Sequence, residues 1–483
     1  MAHRSMPGWW GSRGHIVFTM VVFIVLASLD NAALALFPAM VKPVAETLRT
    51  SDQAIGFMTG SSLLVTAVTA VAWGFWGDRS SRKRLLLAGT VIWVIGVYLS
   101  SRVGGFGHLF LWQLVTAIGL GSIASVGFSV ISDFVAPARR GLAMSFWGLS
   151  QGVGGLAGGL IASQLGAGDF RRPLVVLAAA GGLFALLYLV TYEAPRGYSE
   201  PELRELRAAG EDYDHRIDLD QVPSLLTRRT NRWLILQGLT AQFAYGSLIW
   251  VPLLYTEKII AEGYDTATAT KVGGLFGAIF QLGGLFSILA GWLGDRMQQR
   301  SKSGRAVISA VGILGAIPFF LAFFFIPLRG LEVTNGAGTA TLLPEVLSSI
   351  VTNGWVAAAF LTSLAALAFT SADSPNWFAL ISDVNLPEHR GTVFGLGNLA
   401  NGVGRASGNG LVSALANSIE RAFPPPLNWA VGLAGFQLFF LPTGWMYAKA
   451  AGTAPGDIDD VTAVLHERAR IDRGVPGSRK HPR

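Results

Sequence analysis

The chain has 483 residues, of which 51% are apolar or aromatic and 14% charged, with a mean hydropathy of +0.46. Soluble domains carry about 25% charged residues, so this composition excludes a string of soluble domains. With no cysteine and seven scattered histidines, disulfides and thiol chemistry are excluded and no metal cluster or cofactor is suggested.

A bilayer core takes about 20 apolar residues in helical form. Twelve such stretches follow one another, and no ten-residue alternating pattern marks a β-barrel. The first six cover 15–40, 53–77, 85–101, 108–132, 141–165 and 172–193. Span one carries Asp30 and Asn31 mid-way, and no cleavage site follows it, so it is read as a retained helix. Span two closes on Gly74-Phe-Trp-Gly-Asp78-Arg79, with Arg82 shortly after. Span four carries Ser122, Ser125, Ser129 and Ser132 on one face, then Asp133 and Arg140. Span five is rich in glycine: Gly152, Gly154, Gly155, Gly158 and Gly159 suit close helix packing, and Gln151 adds a polar group.

The charged stretch 194–232 divides six spans from six and reads as a linker, helical from Glu200 to Arg207. The second six spans cover 233–256, 272–293, 306–327, 353–380, 391–417 and 428–448. Span seven offers Gln242 and Tyr245, three residues apart; Gln237 points elsewhere. Span eight closes on Gly291-Trp-Leu-Gly-Asp295-Arg296. Span ten carries Asp373 and Asn376, then Asp383 and Arg390. Span eleven carries Asn398, Asn401, Arg405 and Asn409, a stripe on one helical face. Arg405 is the one Lys or Arg well inside any span. An intramembrane charge costs about 2.5–3.5 kcal/mol at the bilayer centre on insertion scales, so Asp30, Asp373 and Arg405 are expected to line an interior cavity.

The halves repeat. Gly74–Arg79 matches Gly291–Arg296 at an offset of 217, and residues 128–158 match 378–408 at an offset of 250 with 12 identities in 31 positions. The difference points to an insertion near 329–352. With both termini placed in the cytoplasm, inner segments hold 27 Lys and Arg and outer segments 9, which satisfies the positive-inside rule. The net charge of +7 then needs no nucleic acid. The expected fold is an all-α membrane protein with twelve transmembrane helices in two pseudo-symmetric six-helix bundles. Its parts are 1–193 (N-terminal bundle), 194–232 (cytoplasmic linker), 233–450 (C-terminal bundle) and 451–483 (cytoplasmic tail).

These residues resemble the major facilitator superfamily. Gly74-x-x-x-Asp78-Arg79-x-x-Arg82 is similar to its signature between helices two and three, with Ser81 where glycine is usual. Gly291-x-x-x-Asp295-Arg296 is similar to the second-half copy, with Arg300 standing for the later basic residue. Within the superfamily, Asp30, Gly119-Leu-Gly121-Ser122 and Glu193-Ala-Pro-Arg-Gly197 resemble the Spinster-like group. Asn31 and Ser122 replace its usual Arg and Glu. The resemblance implies a carrier of lysolipids or sphingoid phosphates, proton-linked in that group.

The expected function is secondary active transport by alternating access of an amphipathic or anionic small molecule, a lysophospholipid first. Multidrug, sugar-phosphate and organic-anion carriers stay open, as does a transport-inactive scaffold or sensor. No nucleotide-binding G-x-x-x-x-G-K-[ST] sequence occurs, and no catalytic cluster argues for an enzyme. Expected substrate or coupling residues are Asp30, Asn31, Ser122, Gln151, Gln242, Tyr245, Asp373, Asn376, Asn398, Asn401 and Arg405. The expected cytoplasmic gate comprises Gly74, Asp78, Arg79, Arg82, Asp133, Arg140, Asp295, Arg296, Asp383 and Arg390. The expected partners are the substrate, protons and the bilayer. The chain is expected to act as a multi-pass monomer, in the inner membrane if bacterial.

Overall fold

The computed structural model describes residues 12–50, 52–166, 169–203 and 215–471, and all its regular elements are helices. Twelve helical columns stand side by side among these residues. In the first half they are α1 (Arg13–Ala39), α2 (Asp52–Arg79), α3 (Arg82–Ser100), α4 (Phe106–Phe134), α5 (Arg140–Gly166) and α6 (Arg171–Leu189). In the second they are α7 (Arg229–Ala261), α8 (266–300), α9 (Gly304–Phe325), α10 (Gly354–Asp383), α11 (Arg390–Ile419) and α12 (427–471). Eight of them are long and apolar enough to cross a membrane by length and composition. The other four are α5, α8, α11 and α12. Their apolar runs are diluted by glycine and amides or broken, as at Leu282–Leu285 in α8.

Helix starts follow local chemistry. The Ser81 hydroxyl accepts from the Arg84 amide at the head of α3, and the Asn353 side chain accepts from Trp355 and Val356 at the head of α10. Each satisfies amides that the helix itself leaves unpaired. Small residues let the columns approach closely. Gly154 and Gly158 of α5 lie against the backbone of α1 at Ser28 and Ala32, and Gly404 and Gly408 of α11 lie against α7 at Leu239 and Phe243. The two contacts are pseudo-equivalent, as the repeat requires.

Two elements differ from the sequence expectation. The last span does not stop at 448: Phe440–Ile471 is one helix. Its final turns pack Val461, Leu465 and Ala469 against Leu203 and Leu386. In the linker, expected to be helical from Glu200 to Arg207, the described residues show short turns at Pro201–Leu203 and Leu219–Gln221 and a short helix at Val222–Thr227; residues 204–214 lie outside the described ones.

Candidate functional site

The ends of α2 and α8 form one end of the bundle, here termed the basic end. There the halves meet through two matching contacts. Asp78 accepts from the amides of Gly391 (3.0 Å) and Thr392 (2.6 Å) at the head of α11. Asp295 accepts from Gly141 (2.8 Å) and Leu142 (2.9 Å) at the head of α5. A carboxylate from one half thus caps a helix of the other, where unpaired amides and the helix dipole favour negative charge. Glycine is required at this approach: a Cβ on Gly391 would lie 2.8 Å from Asp78 and 2.9 Å from the Gly74 carbonyl.

Around these caps runs a buried ion network. Arg82 pairs with Asp133 inside the first half, and Arg305 pairs with Asp383 and Asp295 (2.6 Å) inside the second. Arg140 crosses to Asp383 (3.1 Å), and Arg390 crosses to Asp133 (3.4 Å). At the centre Glu200 takes Arg140 and Arg390 on the same oxygen, each at 2.5 Å. Burial alone would raise the Glu200 carboxyl. The two guanidiniums outweigh it and hold it at about 2, against an ordinary 4.5. The segment carrying Glu200 is pinned as well: the Gly197 amide donates to Asp133 (2.9 Å), Ser199 to the Ser132 carbonyl (3.0 Å) and Arg196 to the Gly77 carbonyl (2.8 Å).

Sequence reasoning missed two members of this network. In the sequence Glu200 stands only as the start of a helical stretch of the linker. Arg305 was passed over for Arg300, which is exposed. A clue to Arg305 was present: it follows Ser303-Gly304 at a helix head as Arg82 follows Ser81. Conversely, Arg79 and Arg296 sit outside the network, exposed, with their guanidiniums over Phe75 (5.4 Å) and Trp292 (5.6 Å) of their own helices. Each lies one residue past its Asp, about 100° round the helix, and so points outward.

Away from the basic end the halves separate. On α11 one line faces α2 and α4: Gly391 and Gly395 meet Gly74 and Ala70, Asn398 donates to the Ala124 carbonyl, and Gly402 meets Ala67. Ala124 belongs to a π-helical turn, Ile123–Gly127, in α4. The line continues in steps of three and four to Arg405 and Asn409. Across from them, Gly56 and Gly60 of α2 have nothing within 4 Å. The pseudo-equivalent line on α5 runs from Gly141, against Gly291, through Gly148, near Ser374, to Gly152, Gly155 and Gly159, which also meet nothing within 4 Å. These three glycines were expected to pack; they border the opening instead, whereas Gly154 and Gly158 do pack. A cleft therefore widens between the halves beyond Ala67 and Gly402.

Arg405 sits where that widening begins. Its side chain is exposed, and Nε donates to Gln242 Oε1 (3.2 Å). Asp30 and Asp373 were expected to line the same cavity. No ion pair to Arg405 occurs among the described residues. Asp373 is instead buried among α10, α7 and α12, where the Tyr447 hydroxyl donates to it and the Tyr245 hydroxyl lies beside it within hydrogen-bonding reach, also meeting the Thr370 carbonyl (3.3 Å). Asp30 is buried in α1 and neither carboxylate oxygen has a hydrogen-bond partner among the described residues.

The remaining candidates divide by what they touch. Asn31 donates to the Ala27 carbonyl of its own helix (2.8 Å). Asn401 fits against Gly238 of α7, Asn376 against Gly294 of α8, and Ser122 against Gly89 of α3, all at helix contacts. Asn409 accepts from Trp250 (3.0 Å). The Gln151 side chain lies outside the described residues.

Residues 19–409 match the Major Facilitator Superfamily. Protein spinster homolog 3 of Danio rerio is 27% identical over 288 residues, covering 56% of this chain and 56% of the relative. The sphingosine-1-phosphate transporter SPNS2 of Xenopus tropicalis is 27% identical over 320 residues, covering 62% and 58%. The chain thus spans less than two thirds of the length of these curated relatives. A solved bacterial homolog of the human lysosomal transporter Spinster, inward-facing and unoccupied, superposes with a TM-score of 0.51 at 20% identity, covering 98% of this chain and all of that one.

Proposed function

Because the chain belongs to the Major Facilitator Superfamily, a family of multi-pass membrane transporters, we propose that it is a secondary carrier of an anionic amphiphile, a lysophospholipid or related lipid first. The observation that carries this reading is Arg405. It is a guanidinium at the floor of the cleft, held by a neutral amide rather than by a carboxylate among the described residues. A planar fork of five donors fits phosphate or carboxylate in bidentate fashion. The opening bordered by Gly56, Gly60, Gly152, Gly155 and Gly159 leaves room for a chain.

The reading extends to the cycle. The two halves, 1–193 and 233–450, rock about the cleft, and the linker 194–232 and tail 451–483 lie with both termini in the cytoplasm. The excess of Lys and Arg at the basic end supports this orientation. Asp78, Asp295 and the ion network close the cytoplasmic side while the cleft is open to the other. Asp30 is the residue proposed to exchange a proton as the cleft opens and closes. A buried carboxylate without partners is costly when charged, which supports that role. The chain is proposed to work as a monomer.

The test is counterflow into proteoliposomes loaded in turn with a lysophospholipid, a sugar phosphate and an organic anion. Uptake confined to the lysophospholipid, and lost in Arg405→Ala, is the expected result. Uptake of the sugar phosphate alone would refute the lipid assignment. A reporter fused after Arg483 that is reachable only from outside the cell would refute the orientation.

A further inference from the structure

The segment between α9 and α10 contains a helix that the repeat does not require, Thr339–Thr352, amphipathic and predominantly apolar. It lies at the end of the bundle away from the basic end. Taken at 100° per residue, its side chains fall into three sectors. Leu342, Val346 and Ser349 are buried, the first two within the main core. Thr341, Ser348 and Thr352 form a polar, exposed sector. Between these two, Leu343, Leu347 and Val351 form a third sector that is apolar and exposed, by 40%, 49% and 84%.

The helix is anchored in this attitude. Glu345 accepts from the Thr334 amide (2.8 Å) and hydroxyl (2.6 Å), Ser349 donates to the Glu332 carbonyl (3.3 Å), and Asn353 donates to the carbonyls of Arg329 (3.0 Å) and Gly330 (2.6 Å). The exposed apolar sector is therefore held in place by the fold.

What covers it is indicated by its continuation. Leu343, Leu347 and Val351 recur every four residues, and directly beyond the extended Asn353 that ends the helix stands Trp355, the second residue of α10, which is 47% exposed. The Arg329 guanidinium lies over the Trp355 ring at 5.6 Å. Tryptophan and basic residues concentrate where a transmembrane helix passes the headgroups. The apolar sector thus joins the surface of a membrane-crossing helix at the headgroup level. A helix with one apolar and one polar sector lies in the interfacial plane with the apolar side in the acyl boundary.

We propose that Thr339–Thr352 is an interfacial helix seated on the leaflet opposite the basic end, with Leu343, Leu347 and Val351 in the acyl region. The helix contains no Lys or Arg, and its sole acid, Glu345, is occupied by Thr334. Its seating therefore rests on apolar burial and is indifferent to anionic lipid.

The chain has no cysteine, so single labels need no prior removal. Leu347→Cys, Val351→Cys and, as the polar control, Ser348→Cys are each labelled with an NBD fluorophore and reconstituted in phosphatidylcholine vesicles. Positions 347 and 351 are expected to be quenched at least threefold more by doxyl lipid than by aqueous iodide, and 348 the reverse. Replacing a third of the lipid with phosphatidylglycerol should leave the ratios unchanged. Equal iodide quenching at 347 and 348 would overturn the proposal. So would protection of 347 from both quenchers with crosslinking between copies, which would assign the face to a second copy of the chain.

Discussion

Removing the Glu200 carboxylate should open the basic end. Glu200 joins Arg140 of the first half to Arg390 of the second through one oxygen, at 2.5 Å each, and is 4% exposed. The two guanidiniums hold its carboxyl at about 2 rather than 4.5, so the joined state keeps it ionised. Breaking one partner out of a buried ion pair costs about 3–5 kcal/mol. At about 1.4 kcal/mol per decade, Glu200→Ala should shift the closed-to-open ratio by about 100-fold. The assay is a spin-label distance between Ser80→Cys and Ser301→Cys, which are exposed at the ends of α2 and α8. The unaltered chain should give one short distance; Glu200→Ala should add a longer population. Identical distance distributions would show that the caps alone hold the basic end and that Glu200 has no part in the lock.

Other outcomes follow from the same geometry. Asp78→Asn keeps an acceptor for only one of the Gly391 and Thr392 amides and loses the charge, a difference of about 1–3 kcal/mol, so counterflow should fall about tenfold or more; unchanged turnover would remove Asp78 from the gate. The pH dependence of the lock has a definite sign. The Glu200 carboxyl is depressed in the joined state, so its contribution is complete above about 4.5 and fades as pH falls toward 2; between about pH 5 and pH 3 the unaltered chain should gain the longer distance that Glu200→Ala already shows, and a distribution unchanged down to about pH 3 would contradict the assignment. Arg405→Lys substitutes a point charge for the fork, and substrate affinity should drop about tenfold or more with the fold intact; normal affinity in purified protein would refute the anion clamp.

Much of the fold could be read from the sequence because membrane helices declare themselves by length and apolarity, and because the repeat forces paired features. The caps made by Asp78 and Asp295 were visible as one motif at two span ends. Asp133 with Arg140, and Asp383 with Arg390, were visible as a second repeated motif, but the pairing found is crossed: Asp133 takes Arg82 and Arg390, and Asp383 takes Arg305 and Arg140. Glu200 was not, since a lone acid in a polar linker has no periodicity and acquires its role only when the halves bring two arginines together. The fate of the intramembrane charges was equally hidden. Asp373 meets Tyr447, seventy-four residues on in the chain, and no spacing rule connects α10 to α12. Ser122, Asn376 and Asn401 show a related limit. A polar residue inside a span faces either a cavity or a glycine of the next helix, and helical phase alone does not say which.

The division of the charges between the halves bears on how such a lock can open at all. Three of the acids that reach across also have a basic partner at home: Asp133 keeps Arg82, and Asp295 and Asp383 keep Arg305, whereas Asp78 has no ion pair among the described residues. Arg140 and Arg390 keep the carbonyls of Ser132 (3.3 Å) and Ser382 (2.9 Å). Opening therefore leaves no acid of these pairs stranded, and the large penalty for an orphaned buried charge is avoided on both sides. Glu200 is the exception, because its two partners part company and it can follow only one of them. The conserved-energy part of the network is thus internal to each half and survives the cycle, while the switching part is concentrated in the two helix caps and in one carboxylate of the connecting segment. A lock built this way opens by breaking only the two caps and the Glu200 bridge, and under the proposed function that is the work left for substrate binding at Arg405 to do.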